Sequence, residues 1–493
     1  MSLTPSLPRS IKIGVWSLLL WMLLGLIFIV TVIGAVVLNV PLLILIGIIG
    51  MVVLVVCIKY NLWLTFYVAL FMVQILPLAK FLGATVHPSH VFLIGMICQQ
   101  GVSALICHRW RLRSPHWLDL AVLLYVLLAI SSLLWTPVPS STAVILIIRM
   151  LFVNVLAYLV LAREVALNWH GTMIRVVFGF ALFVWYLIGT TSYNLWQVGI
   201  WSLLAELQTS ALSGSNGLGV LDSTVMMSVT TAGRNVLSGW LVLGLFLLWG
   251  VYKEAEAIGL SQIMRRTLLF TAFLALAFVI IALSRSSWFS LIVGFFAWLF
   301  CSGFRFSLRR IAWVVTFLVG IMAGLHLLGF DQVIIARLMA LGNVKDLGLT
   351  RTDVWTAIWK SFLQHPLGGT GIAGLEEVIS SVIEGLGNPH NIYFYFLGEY
   401  GLLGIAVIAF IIASSVFGVW QATQHSIKNK GRFWYGVFAA LIALLVQGVF
   451  QYAFSEVVIW VILGLSGGAI AVNQRSHHTT GTKAVILSTS HAE

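Results

Sequence analysis

Charged side chains are scarce in this sequence. They make up 9% of its 493 residues, whereas a soluble domain carries about 25%. Hydrophobic residues account for 60% of the chain, and the mean hydropathy is +1.05. Apolar runs long enough to span a bilayer, about 20 residues each, repeat from one end to the other. This composition excludes a soluble fold and predicts an all-α, polytopic membrane helix bundle.

Cysteine is also rare. The chain has four cysteines, all within apolar spans or at their ends: Cys57, Cys98, Cys107 and Cys301. Because no two of them share a predicted external loop, the sequence excludes a disulfide framework. The first apolar run begins near Gly14 and is too long for the hydrophobic core of a signal peptide, so we expect it to be retained as the first membrane span.

Acidic residues are fewer than basic ones, 15 against 27, which gives a net charge of +12. This excess does not indicate a nucleic-acid partner, because the basic residues form short clusters between apolar spans. Such clusters are typical of cytoplasmic loops under the positive-inside rule. They fall in alternate loops, and most of the acids fall in the others. The pattern predicts that both termini are cytoplasmic.

Two long loops on the external side divide the chain. The hydropathy predicts about 12 to 14 transmembrane helices around them. The candidate spans are 14–37, 40–58, 62–79, 89–107, 116–135, 142–162, 172–192, 235–252, 267–284, 288–303, 311–330, 391–413, 433–450 and 457–473. A loop as long as the second, with structure of its own, is usually functional. The predicted organisation is an N-terminal group of spans (1–192), a first external loop (193–234), central spans (235–330), a large external loop (331–390), C-terminal spans (391–473) and a cytoplasmic tail (474–493).

The large external loop contains two helical patterns. The stretch "LTRTDVWTAIWKSFLQHPLGG" predicts a helix capped by Thr350, with Trp355, Ile358, Trp359 and Phe362 on one face. The stretch "GLEEVISSVIEGLG" predicts a second amphipathic helix. We expect both to lie on the membrane surface or to cap the bundle. The glycines at 368–374 between them lack the Lys and Ser/Thr of a phosphate-binding loop and predict a tight turn.

The stretch "GNPHNIYFYFLGEYGLLG" (387–404) opens the next apolar span. Asn388 followed by Pro389 predicts a helix start, which places His390 and Asn391 in the first turn at the outer membrane boundary. A helix N-terminus disfavours a protonated imidazole and favours a bound anion. Tyr393 shares the helical face of His390. The alternative interpretation is an interfacial histidine whose polar end reaches water.

Arginines on the same side of the membrane strengthen the anion-site hypothesis. Arg285 lies in a very short external hairpin, Arg351 opens the amphipathic loop helix, and Arg234 precedes a span. Arg149 lies inside a span, where arginine is costly and is usually functional or paired. The alternative interpretation of Arg285 is a topology signal, and that of Arg351 is a solvated charge at a helix end. For Arg149 the alternative is a structural pair with a carbonyl or with an acid on a neighbouring helix. Glu399 is expected to face the bundle and pair with an arginine.

A neutral histidine and several arginines at an outer membrane surface suit one substrate class. Guanidinium groups bind phosphate oxygens in a bidentate manner and stay charged, and a lipid carrying a pyrophosphate presents its anion at this depth. His390 could accept a proton from an attacking hydroxyl while Arg285 and Arg351 stabilise the leaving pyrophosphate. Arg234, Arg149, Asn391 and Tyr393 are predicted to contact the substrate. No metal and no cofactor is expected.

The motifs "SRSSW", "RTDVWTAIWKSFLQHPLGGTGIAG" and "HNIYFYFLGEYGLLG", in that order, resemble the O-antigen ligase/polymerase superfamily. The similarity is specific in residues 284–288 and 351–404. Phe394 replaces the first Leu of the family's last motif. The family's frequent "NPN" is missing, and "GRNVLSG" stands in that region, which bears on Arg234. The resemblance assigns the family's essential histidine to His390 and its two essential arginines to Arg285 and Arg351.

The resemblance implies a glycosyltransferase of the bacterial inner membrane that acts at the periplasmic face. Its donor would be a glycan on undecaprenyl pyrophosphate. Its acceptor would be lipid A-core for a ligase or another repeat unit for a polymerase, and the number of spans favours a polymerase or an unusual ligase. Two alternatives from other classes remain: a transporter or lipid-linked glycan flippase, and a non-catalytic partner of other polysaccharide-assembly proteins.

Overall fold

The computed structural model describes residues 52–53, 56–57, 60–73, 79–81, 84–86, 88–106, 115–198, 234–282, 284–302, 344–382, 389–429, 432–451 and 457–489. Within these ranges the chain is almost entirely α-helical, and the one sheet is a short antiparallel hairpin of two strands. The predicted all-α membrane bundle is confirmed. The predicted spans at 14–37 and 311–330, most of 40–58 and most of the first external loop lie outside the described residues.

The helices follow the apolar runs closely. Their bounds are α1 Trp63–Val73, β1 Ala79–Phe81, β2 Ala84–Val86, α2 Pro88–Ile106, α3 Trp117–Ser131, α4 Ser140–Arg149, α5 Leu156–Val198, α6 Arg234–Glu254, α7 Gln262–Ile281, α8 Arg285–Cys301, α9 Val344–Gln364, α10 Gly374–Ser380, α11 Ile392–Asn429, α12 Phe433–Phe450 and α13 Val457–Thr489. A 3₁₀ turn, Ser132–Leu134, ends α3, and a π turn, Met150–Val155, joins α4 to α5.

Among the residues that the structure describes, six helical segments are long and apolar enough to cross a membrane, and α8 and the first part of α13 are shorter apolar helices. The protein is therefore a multi-pass membrane protein. Helices α6 and α12 are the most buried of the six, with 72% of their membrane windows inside the structure. They pack on each other and on α8, and α5 packs on α13 and α1. Helix α12 is thus at the centre of the bundle beside the helix that Arg285 opens.

The longest apolar helical segment contains a break at Asn168, where φ is −149° and ψ is 74°. The Asn168 side chain accepts a hydrogen bond from the Gly171 N–H at 3.1 Å, so it caps the helix that follows. Glu164 and Arg175 form an ion pair of 3.0 Å across the break. The break separates two helical stretches, as the predicted spans at 142–162 and 172–192 require.

Helix α11 also has a break, and another part of the chain fills it. Gly401 has φ 63° and ψ −148°, a conformation open almost only to glycine. The backbone groups freed there pair with the turn that follows α9. These hydrogen bonds run from Thr370 N–H to Gly398 O, from Gly371 N–H to Glu399 O, from Leu402 N–H to Pro366 O and from Leu403 N–H to Leu367 O, at 2.8–3.3 Å. The turn and the broken helix are therefore one unit.

We expect Gly401→Ala to unfold at a markedly lower temperature than the wild type. A Cβ at Gly401 would lie 2.6 Å from the carbonyl oxygens of Pro366 and Leu367, and the backbone strain alone costs about 1–3 kcal/mol. Thermal unfolding in detergent measures the effect. Gly259→Ala is the matched control, because Gly259 also has positive φ but has no atom within 4 Å of the added Cβ. Equal losses in the two variants would contradict the described pairing.

Candidate functional site

Helices α9 and α10 form a cap on the start of α11. Val354 and Ile358 of α9 pack on Leu375 and Ile379 of α10, and all four are buried. On this face the two loop helices pack on each other and on α11. Two predicted details are wrong. The predicted start of α9 at Thr350 is wrong, because the helix begins at Val344. The second helix is shorter than the stretch "GLEEVISSVIEGLG", because α10 ends at Ser380. Residues 383–388 lie outside the described part of the chain.

The glycine-rich turn between α9 and α10 is held from two sides. One side is the break in α11. On the other side, the Trp135 indole N–H donates to the Gly368 carbonyl at 3.1 Å, and the Thr136 hydroxyl donates to the Ile372 carbonyl at 2.7 Å. The predicted tight turn is confirmed, and its role is to lock the cap to α3 and α11.

Glu399 supports the same turn from inside α11. It is 2% exposed, and its carboxylate accepts hydrogen bonds from the Ala373 N–H at 3.1 Å and the Tyr395 hydroxyl at 2.7 Å. The expectation that Glu399 faces the bundle is confirmed. The expectation that it pairs with an arginine is wrong for the described residues, because a backbone N–H and phenol hydroxyls supply its donors.

His390 lies just before α11 and not in its first turn. Its backbone φ is +47°, a left-handed conformation that is uncommon outside glycine. The helix begins at Ile392, and the Asn391 side chain accepts hydrogen bonds from the N–H groups of Tyr393 and Phe394 at 2.9 and 3.0 Å. Asn391 is therefore the N-cap, which corrects the predicted cap at Asn388. The predicted helical face shared by His390 and Tyr393 is also wrong.

A tryptophan connects the His390 segment to α9. The Trp355 indole N–H donates to the Pro389 carbonyl at 3.0 Å. The ring of Trp355 stacks on Phe394, with centroids 5.1 Å apart and planes at 5°. Trp355 follows Arg351 by one helical turn and shares its face. This contact brings Arg351 and His390 together although 39 positions separate them in the chain. The sequence predicted Trp355 only as an apolar face residue.

Arg285 begins α8 and is held by a buried polar network. The Gln447 side chain of α12 accepts a hydrogen bond from the Ser290 hydroxyl at 2.9 Å. Its amide N–H groups donate to the Ser286 hydroxyl and to the Asn235 carbonyl of α6 at 3.3 and 3.2 Å. Ser287 shares a hydrogen bond of 2.6 Å with Ser238 of α6. The sequence analysis missed Gln447, whose only signal was an amide inside an apolar span.

Two charge effects connect the side chains of Arg285, Arg351 and His390, since Arg285 acts on Arg351 and Arg351 acts on His390. Burial lowers the pKa of Arg351, and so does the charge of Arg285. Burial also lowers the pKa of His390, and so does the charge of Arg351. Sequence reasoning expected a neutral His390 because of a helix N-terminus, so the direction agrees but the causes differ. Arg285, Arg351 and His390 therefore form a cluster, which we call the cationic cluster.

No described carboxylate pairs with either arginine of the cationic cluster. One guanidinium nitrogen of Arg285, Nη1, is buried and has no hydrogen-bond partner among the described residues. A buried charged donor without a partner costs free energy, so native structures rarely keep one unless a ligand or water completes it. An anion at the cluster would supply the missing acceptor.

The other residues that were predicted to contact the substrate have different surroundings. The Tyr393 hydroxyl donates to the Leu445 carbonyl of α12 at 2.9 Å, which fixes α11 against α12. Arg149 is the exposed last residue of α4, directly before the π turn, and its charge is not among those that shift the pKa values in the cluster. Arg234 is the first residue of α6. Substrate contacts by these residues and by Asn391 stay predictions.

Within the described ranges, no group of three or more His, Cys, Asp or Glu side chains could hold a metal ion. The positive charge at this end of the bundle comes from the arginines.

The fold defines a multi-pass membrane protein, and the cationic cluster consists of residues at the start of α8, on α9 and just before α11. Residues 270–409 match the model of the O-antigen ligase family, Wzy_C. The matched segment contains Arg285, Arg351 and His390, and it confirms the resemblance to the O-antigen ligase/polymerase superfamily. A comparison with curated proteins finds no match.

We expect Arg351→Gln to raise the pKa of His390 toward its ordinary value of 6.5. The substitution removes the positive charge that opposes protonation and leaves the burial of the imidazole largely in place. NMR titration of labelled histidines measures the shift, with His390→Asn used to assign the signal. Lys360→Gln is the control, because Lys360 is exposed on the opposite side of the same helix. An unchanged His390 pKa in Arg351→Gln would contradict the proximity of the two groups.

We expect Gln447→Leu to destabilise the protein by about 1–3 kcal/mol, because it removes the three hydrogen bonds of the amide, with Ser290, Ser286 and the Asn235 carbonyl. Gln447→Glu, which keeps the acceptor for Ser290, should lose less than Gln447→Leu at a pH low enough to protonate the new carboxyl. Denaturant or thermal unfolding in detergent measures both. If Gln447→Leu were as stable as the wild type, the network would not hold the start of α8.

Proposed function

We propose that the protein is an integral-membrane inverting glycosyltransferase of the O-antigen ligase/polymerase type. It moves a glycan from undecaprenyl pyrophosphate to an acceptor hydroxyl at the periplasmic face of the bacterial inner membrane. The observation that carries the proposal is the cationic cluster, which joins two arginines to a histidine of lowered pKa and has no described carboxylate as a counterion. The match of residues 270–409 to the O-antigen ligase family supports it.

In the proposed reaction the acceptor oxygen attacks the anomeric carbon of the donor sugar. A new carbon–oxygen bond forms while the bond from that carbon to the pyrophosphate oxygen breaks. The leaving oxygen keeps the electron pair, and the carrier departs as undecaprenyl pyrophosphate. One displacement of this kind inverts the anomeric configuration.

His390 takes the proton that the acceptor hydroxyl loses. An imidazole can accept a proton only when one nitrogen is unprotonated, and a pKa below the usual 6.5 keeps it so near neutral pH. Arg285 and Arg351 neutralise the charge that grows on the leaving pyrophosphate, and donors placed where charge develops lower the barrier most. The arginines supply this charge without a metal in the proposed mechanism.

We expect His390→Ala and Arg351→Ala each to abolish glycan transfer while the protein still inserts into the membrane. Arg351→Lys keeps the charge but loses the planar fork. Loss of one charge-assisted hydrogen bond, about 1.5–3 kcal/mol, corresponds to a rate decrease of roughly 10- to 150-fold. Transfer to the acceptor in membranes measures all three, and Lys360→Ala should retain activity. Full activity in both alanine variants of the cluster would refute the proposal.

The choice between ligase and polymerase has a direct test in a strain that lacks the protein. If the protein is a ligase, long glycans accumulate on the lipid carrier. If it is a polymerase, single repeat units remain unextended. Both activities would be contradicted if the strain that lacks the protein still made normal glycans.

The transporter alternative expects broken helices with free polar groups near the membrane midplane. The described chain does contain a broken span, at Gly401. Its freed backbone groups are already paired with the turn at 366–371, so they do not form an open ion site. The electrostatic features instead concentrate at Arg285, Arg351 and His390, which favours the transferase.

A further inference from the structure

Helix α9 presents three different faces. Successive residues in an α-helix are about 100° apart, so Val354, Ile358 and Phe362 share one face, and these side chains are buried against the bundle at 1%, 0% and 8% exposure. About 120° around the helix, Trp359 and Leu363 form a second face, which also carries the exposed Thr352 and Thr356 nearer the start of the helix. Trp359 and Leu363 are 49% and 61% exposed.

The third face is polar. Asp353, Lys360 and Gln364 are exposed and lie about 100° beyond the centre of the Trp359 and Leu363 face. An exposed helix in water has a single apolar side that packs inward. A helix with one apolar side packed on protein, a second apolar side open and a polar side remaining matches a position between protein, lipid and water.

From this arrangement we propose that α9 lies in the headgroup layer of the membrane, with Trp359 and Leu363 inserted among the acyl chains of the leaflet at the site end of the bundle. Asp353, Lys360 and Gln364 face water. Tryptophan favours the boundary between lipid and water, and the lysine stem can lie along apolar surface while its ammonium reaches the phosphates.

The surface around α9 identifies lipid as the occupant of this face. Helix α3 crosses the membrane and exposes a stripe of apolar side chains along its length, which ends at Leu134 with 87% exposure. The stripe consists of Leu120, Leu123, Leu127, Ile130 and Leu134, spaced three and four residues apart as on one helical face.

The lipid-facing stripe of α3 continues onto α9. Trp135, the neighbour of Leu134, donates its indole N–H to the carbonyl of Gly368. Gly368 follows Leu367, which is 67% exposed and comes just after the end of α9. The apolar surface therefore passes from the end of a membrane span through Leu367 to Leu363 and Trp359. This continuity with a lipid-facing surface favours the bilayer over a protein partner.

The position of α9 has a consequence that rests on the proposed function. Arg351 lies near the start of α9 on the same side of the helix as Ile358 and Phe362, and it is half-buried. Insertion of α9 would hold its guanidinium at the level of lipid phosphates. A donor that carries a pyrophosphate on a membrane-bound tail would then meet Arg351 without leaving the bilayer.

Spin labels test the proposed insertion without any enzyme assay. Single cysteines at Trp359, Leu363, Lys360 and Gln364 are introduced into a chain whose four native cysteines are replaced by alanine. After reconstitution in phospholipid vesicles, collision with oxygen and with a water-soluble nickel chelate is measured for each label. Labels at 359 and 363 should meet oxygen and avoid nickel, and labels at 360 and 364 should show the reverse.

Two results would overturn the insertion. High nickel accessibility at 363, equal to that at 364, would place the face in water. Low accessibility to both reagents at 359 and 363 would show that protein covers the face, such as a second copy of the chain.

A kinetic comparison tests the consequence for the donor separately. Leu363→Lys should raise the KM for a lipid-linked donor several-fold and leave kcat nearly unchanged, whereas Gln364→Lys should change neither. If the spin labels report insertion and neither the Leu363→Lys nor the Gln364→Lys variant transfers glycan, the proposed function fails and the insertion stands. If transfer occurs and Leu363→Lys leaves KM unchanged, the insertion does not serve donor access.

Discussion

Like charges repel, and the site of this protein depends on holding two guanidinium groups and an imidazole together without a described carboxylate among them. Arg285 and Arg351 are near enough for the charge of one to lower the pKa of the other, and Arg351 does the same to His390. Such an arrangement costs free energy unless an anion completes it. The scaffold must therefore oppose the repulsion whenever the site is empty.

Three sets of contacts supply this opposition, and each acts on a different member of the cluster. The Gln447 and serine network fixes the start of α8 and so Arg285. The Trp355 indole joins the helix of Arg351 to the backbone beside His390. The turn at 366–371 closes the break in α11 at Gly401 and so fixes α9 relative to α11. Because these contacts are neutral hydrogen bonds and packing, they place no acid next to the site that would compete with a substrate anion.

Much of the fold and of the candidate site could be predicted from the sequence. Hydropathy set the spans, since α6, α8, α12 and α13 begin within three residues of their predicted positions. The motifs brought Arg285, Arg351 and His390 together as candidates, because their residue types and their common side of the membrane suited one chemistry.

Local rules failed where tertiary contacts take over. Asn388 and Pro389 form a plausible helix start, yet Asn391 also caps well, and His390 before it adopts a left-handed backbone. The break at Gly401 could not be foreseen from one glycine in an apolar run, because its stability comes from a turn about 30 residues earlier in the chain. Glu399 lacked its expected arginine for the same reason, since the turn supplies a backbone donor instead.

The central claim is that the cationic cluster binds a diphosphate. Its most direct test is the affinity of the purified protein for two lipids of the same chain length, a polyprenyl pyrophosphate and the matching polyprenyl alcohol. The account predicts that the pyrophosphate binds at least tenfold more tightly, and that the difference disappears when Arg285 and Arg351 are both replaced by glutamine. Equal binding of the two lipids to the wild-type protein would contradict the account.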